Sequence, residues 1–289
     1  MADARSKEFV IPARPDVLLQ LSALVESEDP GFERVASLVK RDVALYANIL
    51  ALINSPFFGL RGRISSIERA LKVMGMKRLL FLVRTASLRS AVGEDEGLEN
   101  FWEDACTMAT ICANLVHYMP FVNVDDAFTL GMMHACGVPL MVKNCPDFQH
   151  FHVNACLLDL PDQQRLEQAH FGADQFQLSS RLAKNWQVPE ELCQAIAAQP
   201  DYQNLLLDED ADEKLCQKLC LLLVGREFSL KFETLWGRSD EYQPVVEIEP
   251  VLSFLGITEA ELEAIQEHLF SKLQVDDRGI VPEALPQGG

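Results

Sequence analysis

The feature that most narrows the folds open to this chain is the spacing of its apolar residues, which recur three and four positions apart in nearly every segment. Pro15–Val25 places Val17, Leu18, Leu21, Leu24 and Val25 on one side, and Phe32–Lys40 does the same with Phe32, Val35, Ala36 and Val39. Only a helix gathers such positions on a single face. The punctuation agrees. Asp42 suits the N-cap of a helix running to about Asn54, and Ser65-Ser66-Ile67-Glu68 reads as a capping box that opens a helix ended by Gly75. Helices are further predicted over Met76–Val92, Phe101–Met119, Asp125–Ala135, Pro161–His170, Asp174–Trp186, Pro189–Ala198 and Leu215–Phe228. Thr258-Glu259-Ala260-Glu261 caps a last one that runs to about Leu273. No stretch alternates apolar and polar residues between turn signals at both ends. The predicted fold class is all-α.

Two helical units are expected, residues 11–92 and about 98–273, joined by the acidic, glycine-containing stretch 93–100. Residues 208–213 and 229–245 read as irregular, and the Pro-, Gly- and acid-rich tail after Gln274 as mobile. With 48% hydrophobic and 24% charged residues over 289 positions, wholesale disorder is excluded, and no staple is needed to fold. No apolar run approaches the ~20 residues that span a bilayer, and the first ten residues are not a signal peptide, so no membrane association is expected. The eight cysteines contain no Cys-x-x-Cys pair and read as free, mostly buried thiols of a reducing, cytoplasmic compartment.

The net charge of −18 disfavours nucleic acid as the main partner. That total hides opposed blocks. Residues 31–92 hold eleven basic residues against three acidic ones, whereas residues 93–130 hold eight acidic residues and no Lys or Arg. Either the two blocks neutralise one another, or Arg61, Arg63, Lys77 and Arg78 form a basic face for an acidic protein, a nucleotide or a phosphate.

There is no phosphate-binding Gly-rich loop followed by Lys-Ser/Thr, no Gly-x-Ser-x-Gly elbow and no His-Glu-x-x-His. In Leu130–Leu140 (LGMMHACGVPL), His134 on a Met/Leu-rich helix resembles the site of the HD superfamily of metal-dependent phosphohydrolases. That chemistry needs an Asp directly after the His, and this chain has Ala135, whose methyl group cannot ligate a metal. A hydrogen-bonded core histidine is the competing reading. His150 and His152 fall in an expected loop; His152 could join His134, although nothing in the spacing requires it.

The N-terminal half carries a more specific likeness. Ile11-Pro12-Ala13-Arg14-Pro15, Arg41-Asp42-Val43-Ala44-Leu45, Asn54-Ser55-Pro56-Phe57-Phe58-Gly59, Ile64 to Ala70 and Leu71 to Leu79 resemble, in order and at family spacing, the HDOD domain. These are bacterial signalling modules related to the HD phosphohydrolases. Phe101-Trp102, Gly131 to His134 and Trp186 to Glu190 extend the likeness over about residues 9–225. The resemblance implies an HD-domain-like helical bundle, with an N-terminal half (11–92), a degenerate HD-like half (98–225), a C-terminal helical extension (226–275) and a flexible tail (276–289).

It also implies a depleted metal site. The first ligand position becomes Asp104, the central pair His134 and Ala135, the next His position Gln175, and the later His pair falls near Ala198 and Gln199. Only Asp104 and His134 remain as vestigial positions, below the roughly three or four ligands a catalytic metal requires. Neither a metal nor any other cofactor is therefore expected. Asn54, Ser55, Phe57, Phe58 and Gly59 form either a staple joining two halves or an aromatic docking motif.

The expectation is a non-enzymatic, cytoplasmic, stand-alone signal-transduction module. It would bind a signalling protein or a small regulatory ligand. A residual phosphohydrolase acting on a nucleotide or other phosphoester, and a nucleotide sensor without turnover, are the alternatives.

Overall fold

The computed structural model describes residues 31–41, 64–75, 99–235, 242–276 and 279–282, together with positions 9, 20, 21, 23, 24, 45, 46, 49, 50, 53, 54, 79, 82, 83, 86, 87. Asp42, Ser55, Phe57, Phe58, Gly59, Arg61, Arg63, Lys77 and Arg78, singled out above, lie outside the described residues. The chain divides into two units, Met1–Ile11 with Asp95–Phe270, and Pro12–Glu94 with Ser271–Gly289. The break at 94/95 falls inside the stretch expected as a linker.

In the smaller unit, α1 (Phe32–Lys40) buries Val35, Ala36 and Val39. Helix α2 (Ile67–Met74) starts at the N-cap Ser66, whose hydroxyl accepts from Arg69 N at 3.2 Å, and ends at Gly75 with φ 81°. The cap thus sits one residue later than a Ser65–Glu68 box would place it. Glu68 is released to pair with Lys40 on α1, and both side chains are well exposed. Leu21, Ile49, Ile53, Ile64, Ile67, Leu71, Leu79, Leu82 and Val83 are buried. The Asn54 carboxamide accepts from Ile64 N at 2.7 Å and donates to Ile64 O at 2.8 Å and Leu50 O at 2.7 Å. One side chain therefore ties the helix exit to the residue that precedes the next capped helix.

The same unit contains a feature the sequence reading did not foresee. β1 (Leu273–Asp276) pairs antiparallel with β2 (Gly279–Pro282), Val275 opposite Ile280. The tail expected to be flexible from residue 276 thus forms a hairpin through residue 282. Val275, Ile280 and Val281 are β-branched, which suits paired strands. Apart from this hairpin the described elements are helical.

The larger unit holds α3 (Glu99–Leu115), α4 (Val124–Met133), α5 (Gly137–Asn144), α6 (Phe148–Ala155), α7 (Leu160–Phe171), α8 (Gln175–Asn185), α9 (Glu190–Ala198), α10 (Tyr202–Leu207), α11 (Glu213–Leu235), α12 (Ile248–Leu255) and α13 (Glu259–Lys272). Side-chain caps fix several starts: Asn123 accepts from Asp126 N, Asp159 from Asp162 N, and Asp174 from Gln177 N. Thr258 and Glu261 complete a reciprocal box, with Thr258 N donating to Glu261 Oε2 at 2.8 Å.

Two boundaries differ from expectation. The helix read as 125–135 stops at Met133, and α5 and α6 occupy the segment where His150 and His152 were expected in a loop. Pro139 lies in the first turn of α5, where its missing N–H costs nothing. The expected extension from 226 is no separate piece. Helix α11 is continuous across that point to Leu235, and 226–270 belongs with 95–225. Its apolar residues point in all directions and are buried, from Leu219 to Val224 and on to Phe228 and Phe232, so α11 is a core helix.

Helices α3 and α4 approach at backbone contact. A Cβ on Gly131 would lie 2.5 Å from Ala109 Cα. Gly131→Ala is expected to lower the unfolding free energy by about 1–3 kcal/mol in urea denaturation, as overpacking does, although Ala is the better helix former by ~1 kcal/mol. Asn54→Ala, which removes three hydrogen bonds, is expected to cost about 1 kcal/mol in the same measurement.

Candidate functional site

His134 sits at the C-cap of α4, held there by the glycine contact three residues earlier. Its Nδ1 lies 2.6 Å from Gly131 O, and since a carbonyl only accepts, Nδ1 carries the proton and Nε2 keeps a lone pair. The turn that follows is also pinned. Gly137 N donates to Ser179 Oγ at 2.7 Å, Ser179 donates to Gln175 O at 2.7 Å, and a Cβ on Gly137 would overlap that same carbonyl oxygen.

The residues around His134 form one polar network. Gln199 Nε2 donates to His134 O at 3.1 Å and to Ile196 O at 2.9 Å, and its Oε1 accepts from Arg226 Nη1 at 3.2 Å. On the other side, Glu167 accepts from Gln175 N at 2.7 Å and Gln175 Nε2 at 2.8 Å. Gln163 continues the chain by donating to Leu158 O at 2.7 Å. His152 Nδ1 faces Glu167 Oε1 at 3.9 Å and is buried without a hydrogen-bond partner. Phe148 stacks on the His152 ring, centroids 5.2 Å apart, and meets Phe171 edge-on at 5.3 Å, which holds α6 against the end of α7. His134, His152, Cys156 and Arg226 are all half-buried, so the network borders solvent, whereas Gln163, Glu167, Gln175 and Gln199 lie fully inside.

Burial sets the protonation states. It lowers His134 to about 3, with the nearby Arg226 charge acting in the same direction and the Gly131 bond opposing. Burial and then Arg226 lower His152 to about 4. Glu167 moves the other way: desolvation raises it to about 7 against the two Gln175 hydrogen bonds. Near neutrality both imidazoles are neutral, and Glu167 is divided between its protonated and ionised forms. Burial also brings Arg226 down to about 10, so it stays a cation.

Of the residues singled out from sequence, the structure puts His134, Gln175 and Gln199 into this network. Asp104 is half-buried on α3. The side chains that give the site its character, Glu167, Arg226 and the far side of His152, were not picked out in advance. A Glu five residues before Gly172 and an Arg just after Gly225 carry no local motif, and only the folded chain places them beside His134.

A catalytic metal does not fit these residues. The position after His134 offers a methyl group, both carboxamides at the expected imidazole positions are bonded to protein, and the Arg226 guanidinium repels a cation. No group of three or more His, Cys, Asp or Glu suited to hold a metal occurs among the described residues.

The HDOD domain family matches residues 11–202, more than half of the chain. The chain belongs to the HDOD family. An HDOD domain protein of unknown function from Geobacter sulfurreducens shares the fold at a TM-score of 0.62 and 19% identity, over 91% of this chain and 90% of that one. A candidate phosphohydrolase from Shewanella amazonensis SB2B superposes at a TM-score of 0.66 with 23% identity, over 90% of each chain. A candidate signal transduction protein from Marinobacter aquaeolei VT8 gives a TM-score of 0.66 and 19% identity, over 91% of this chain and 57% of that one. At these identities the likeness shows the fold alone. An uncharacterised protein of Treponema pallidum (strain Nichols) is 23% identical over 196 residues, and the match spans 37% of its length. No helix among the described residues is long and apolar enough to cross a membrane.

The paired titrations of this HDOD cleft predict a pH dependence of stability. The two histidines bind protons more weakly folded than unfolded, so their contribution is complete above pH ~6.5 and is lost as pH falls toward 4. Glu167 binds its proton more tightly when folded, so its contribution is complete below pH ~4.5 and is lost as pH rises toward 7. Two groups outweigh one between pH 6.5 and 4.5, and chemical denaturation is expected to show stability falling as pH drops across that window. His152→Gln removes one proton from the balance and should flatten the slope, a relative gain on the order of 1–2 kcal/mol at pH 5. An unchanged slope would remove His152 from the balance.

Proposed function

We propose that this HDOD protein is a non-catalytic regulatory module of bacterial signal transduction, working in the cytoplasm by binding a signalling protein or a small regulatory ligand. The observation that carries the reading is the set of groups around His134. A metal-dependent phosphohydrolase needs several anionic or lone-pair donors converging on a cation, and here the lone pair of His134 Nε2 shares its surroundings with the Arg226 guanidinium while the Glu167 oxygens are held by Gln175. The free state of all eight cysteines supports a reducing compartment.

Metal analysis of the purified protein, with a screen of phosphoester substrates, tests the non-catalytic role. Substoichiometric metal and no turnover are expected. Stoichiometric iron, manganese or zinc, lost together with turnover in His134→Ala, would overturn it in favour of a residual phosphohydrolase. The orientation of His134 is what favours that second reading, since a ring whose Nδ1–H is tied to a carbonyl presents Nε2 as a ligand would.

The positive excess of residues 31–92 supports an anionic partner for the N-terminal half, with Arg61, Arg63, Lys77 and Arg78 as its contacts. Calorimetric titration with cyclic dinucleotides should give heat with the wild type and little with an Arg61→Ala, Arg63→Ala double variant. No heat in either sample removes the nucleotide-sensor form of the proposal.

A further inference from the structure

Among the described residues Arg226 makes no ion pair. Its guanidinium makes one hydrogen bond among them, to the neutral Gln199 carboxamide. The acidic groups close enough to act on it, Glu227 and Glu167, are committed elsewhere. Glu227 accepts from Tyr242 O–H and from Val245 N and Val246 N, both at 3.1 Å. Glu167 is fully buried and spends its oxygens on Gln175. A half-buried guanidinium with one neutral partner has donors left to offer a further acceptor.

The remaining N–H groups of Arg226 form the planar fork that suits two oxygens of one anion. His134 and His152 lie close enough to Arg226 for its charge to act on both rings, and Gln199 orients the guanidinium from the other side.

We propose that the cleft of His134, His152 and Arg226 is a binding site for a small oxyanion, a phosphate or carboxylate group seated on the Arg226 guanidinium. The inference rests on the reading that no catalytic metal occupies this cleft. It makes the regulatory ligand, or the recognised part of a partner, an acidic group that enters where a hydrolase would hold a cation.

The test uses the full chain, stripped of metal with a chelator and exchanged into anion-poor buffer. Inorganic phosphate and, separately, acetate are titrated by calorimetry and by thermal melting. The wild type should bind at least one of them and melt several degrees higher in its presence, and the preference between them distinguishes a phosphate from a carboxylate ligand. Arg226→Gln should still show a cooperative melt, at or above the anion-free wild-type temperature, because a half-buried charge has been removed. Its anion affinity should fall at least tenfold, while Arg226→Lys retains part of it. His134→Gln should bind like the wild type.

Absence of binding in the metal-free wild type overturns the anion site and leaves the non-catalytic reading standing. So does binding that Arg226→Gln leaves unchanged, because the anion then sits elsewhere. Binding that appears only when manganese is added, and that His134→Gln abolishes, overturns both readings.

Discussion

Helix α3 has two neighbours so close that each must present a glycine to it, and the cleft follows from those two contacts. Gly131 of α4 meets the backbone at Ala109, and a Cβ on Gly225 of α11 would lie 2.6 Å from Cys112 Sγ. Close-packed interiors leave no slack at such crossings, so the axial position and rotation of both helices are set to within fractions of an ångström. His134 lies three residues beyond the first contact and Arg226 one residue beyond the second. Two side chains almost a hundred positions apart therefore meet because one helix face, built from Met108, Ala109 and Cys112, is small or pliable where they cross.

What surrounds them is a metal-site architecture rebuilt with amides. Gln175 and Gln199 stand at positions where the HDOD resemblance implied imidazoles. Each is fully buried; Gln199 uses both ends of its carboxamide on protein partners, and Gln175 donates through Nε2 to Glu167 and Gln163. An amide has no charge to titrate and no strong donor pair for a cation, yet it satisfies neighbouring polar groups in both directions. The replacement keeps the helices connected while removing the reason for a metal to enter. The network behaves as a polar core with one charged edge at Arg226.

The helical fold was legible because its signals are local. Apolar spacing, Ser66, Asn123, Asp174 and the Thr258–Glu261 box each act within a few residues, and the helices formed near where they pointed. The site was legible only in its losses: Ala135, Gln175 and Gln199 are visible as departures from a pattern. Its gains, Glu167 and Arg226, lie 33 and 92 positions from His134 and leave no periodic trace. The helices over residues 137–155 were not predicted from the sequence, which placed His150 and His152 in a loop. The hairpin at 273–282 was hidden by a tail composition that suggested mobility.

The family match ends at residue 202, but the lacing of the larger unit runs well past it. Tyr202, at that limit, accepts through its hydroxyl from Glu247 N at 2.6 Å, and Leu160 N donates to Val245 O at 3.2 Å. Glu227 holds the intervening segment from below. The inherited module and the folding module are therefore different lengths of chain. A fragment cut where the ancestry stops would lose α11, open the apolar faces of α3, α4 and α9, and leave His134 beside solvent. The surroundings of His134 are thus set as much by chain beyond the family match, through Arg226, as by chain within it.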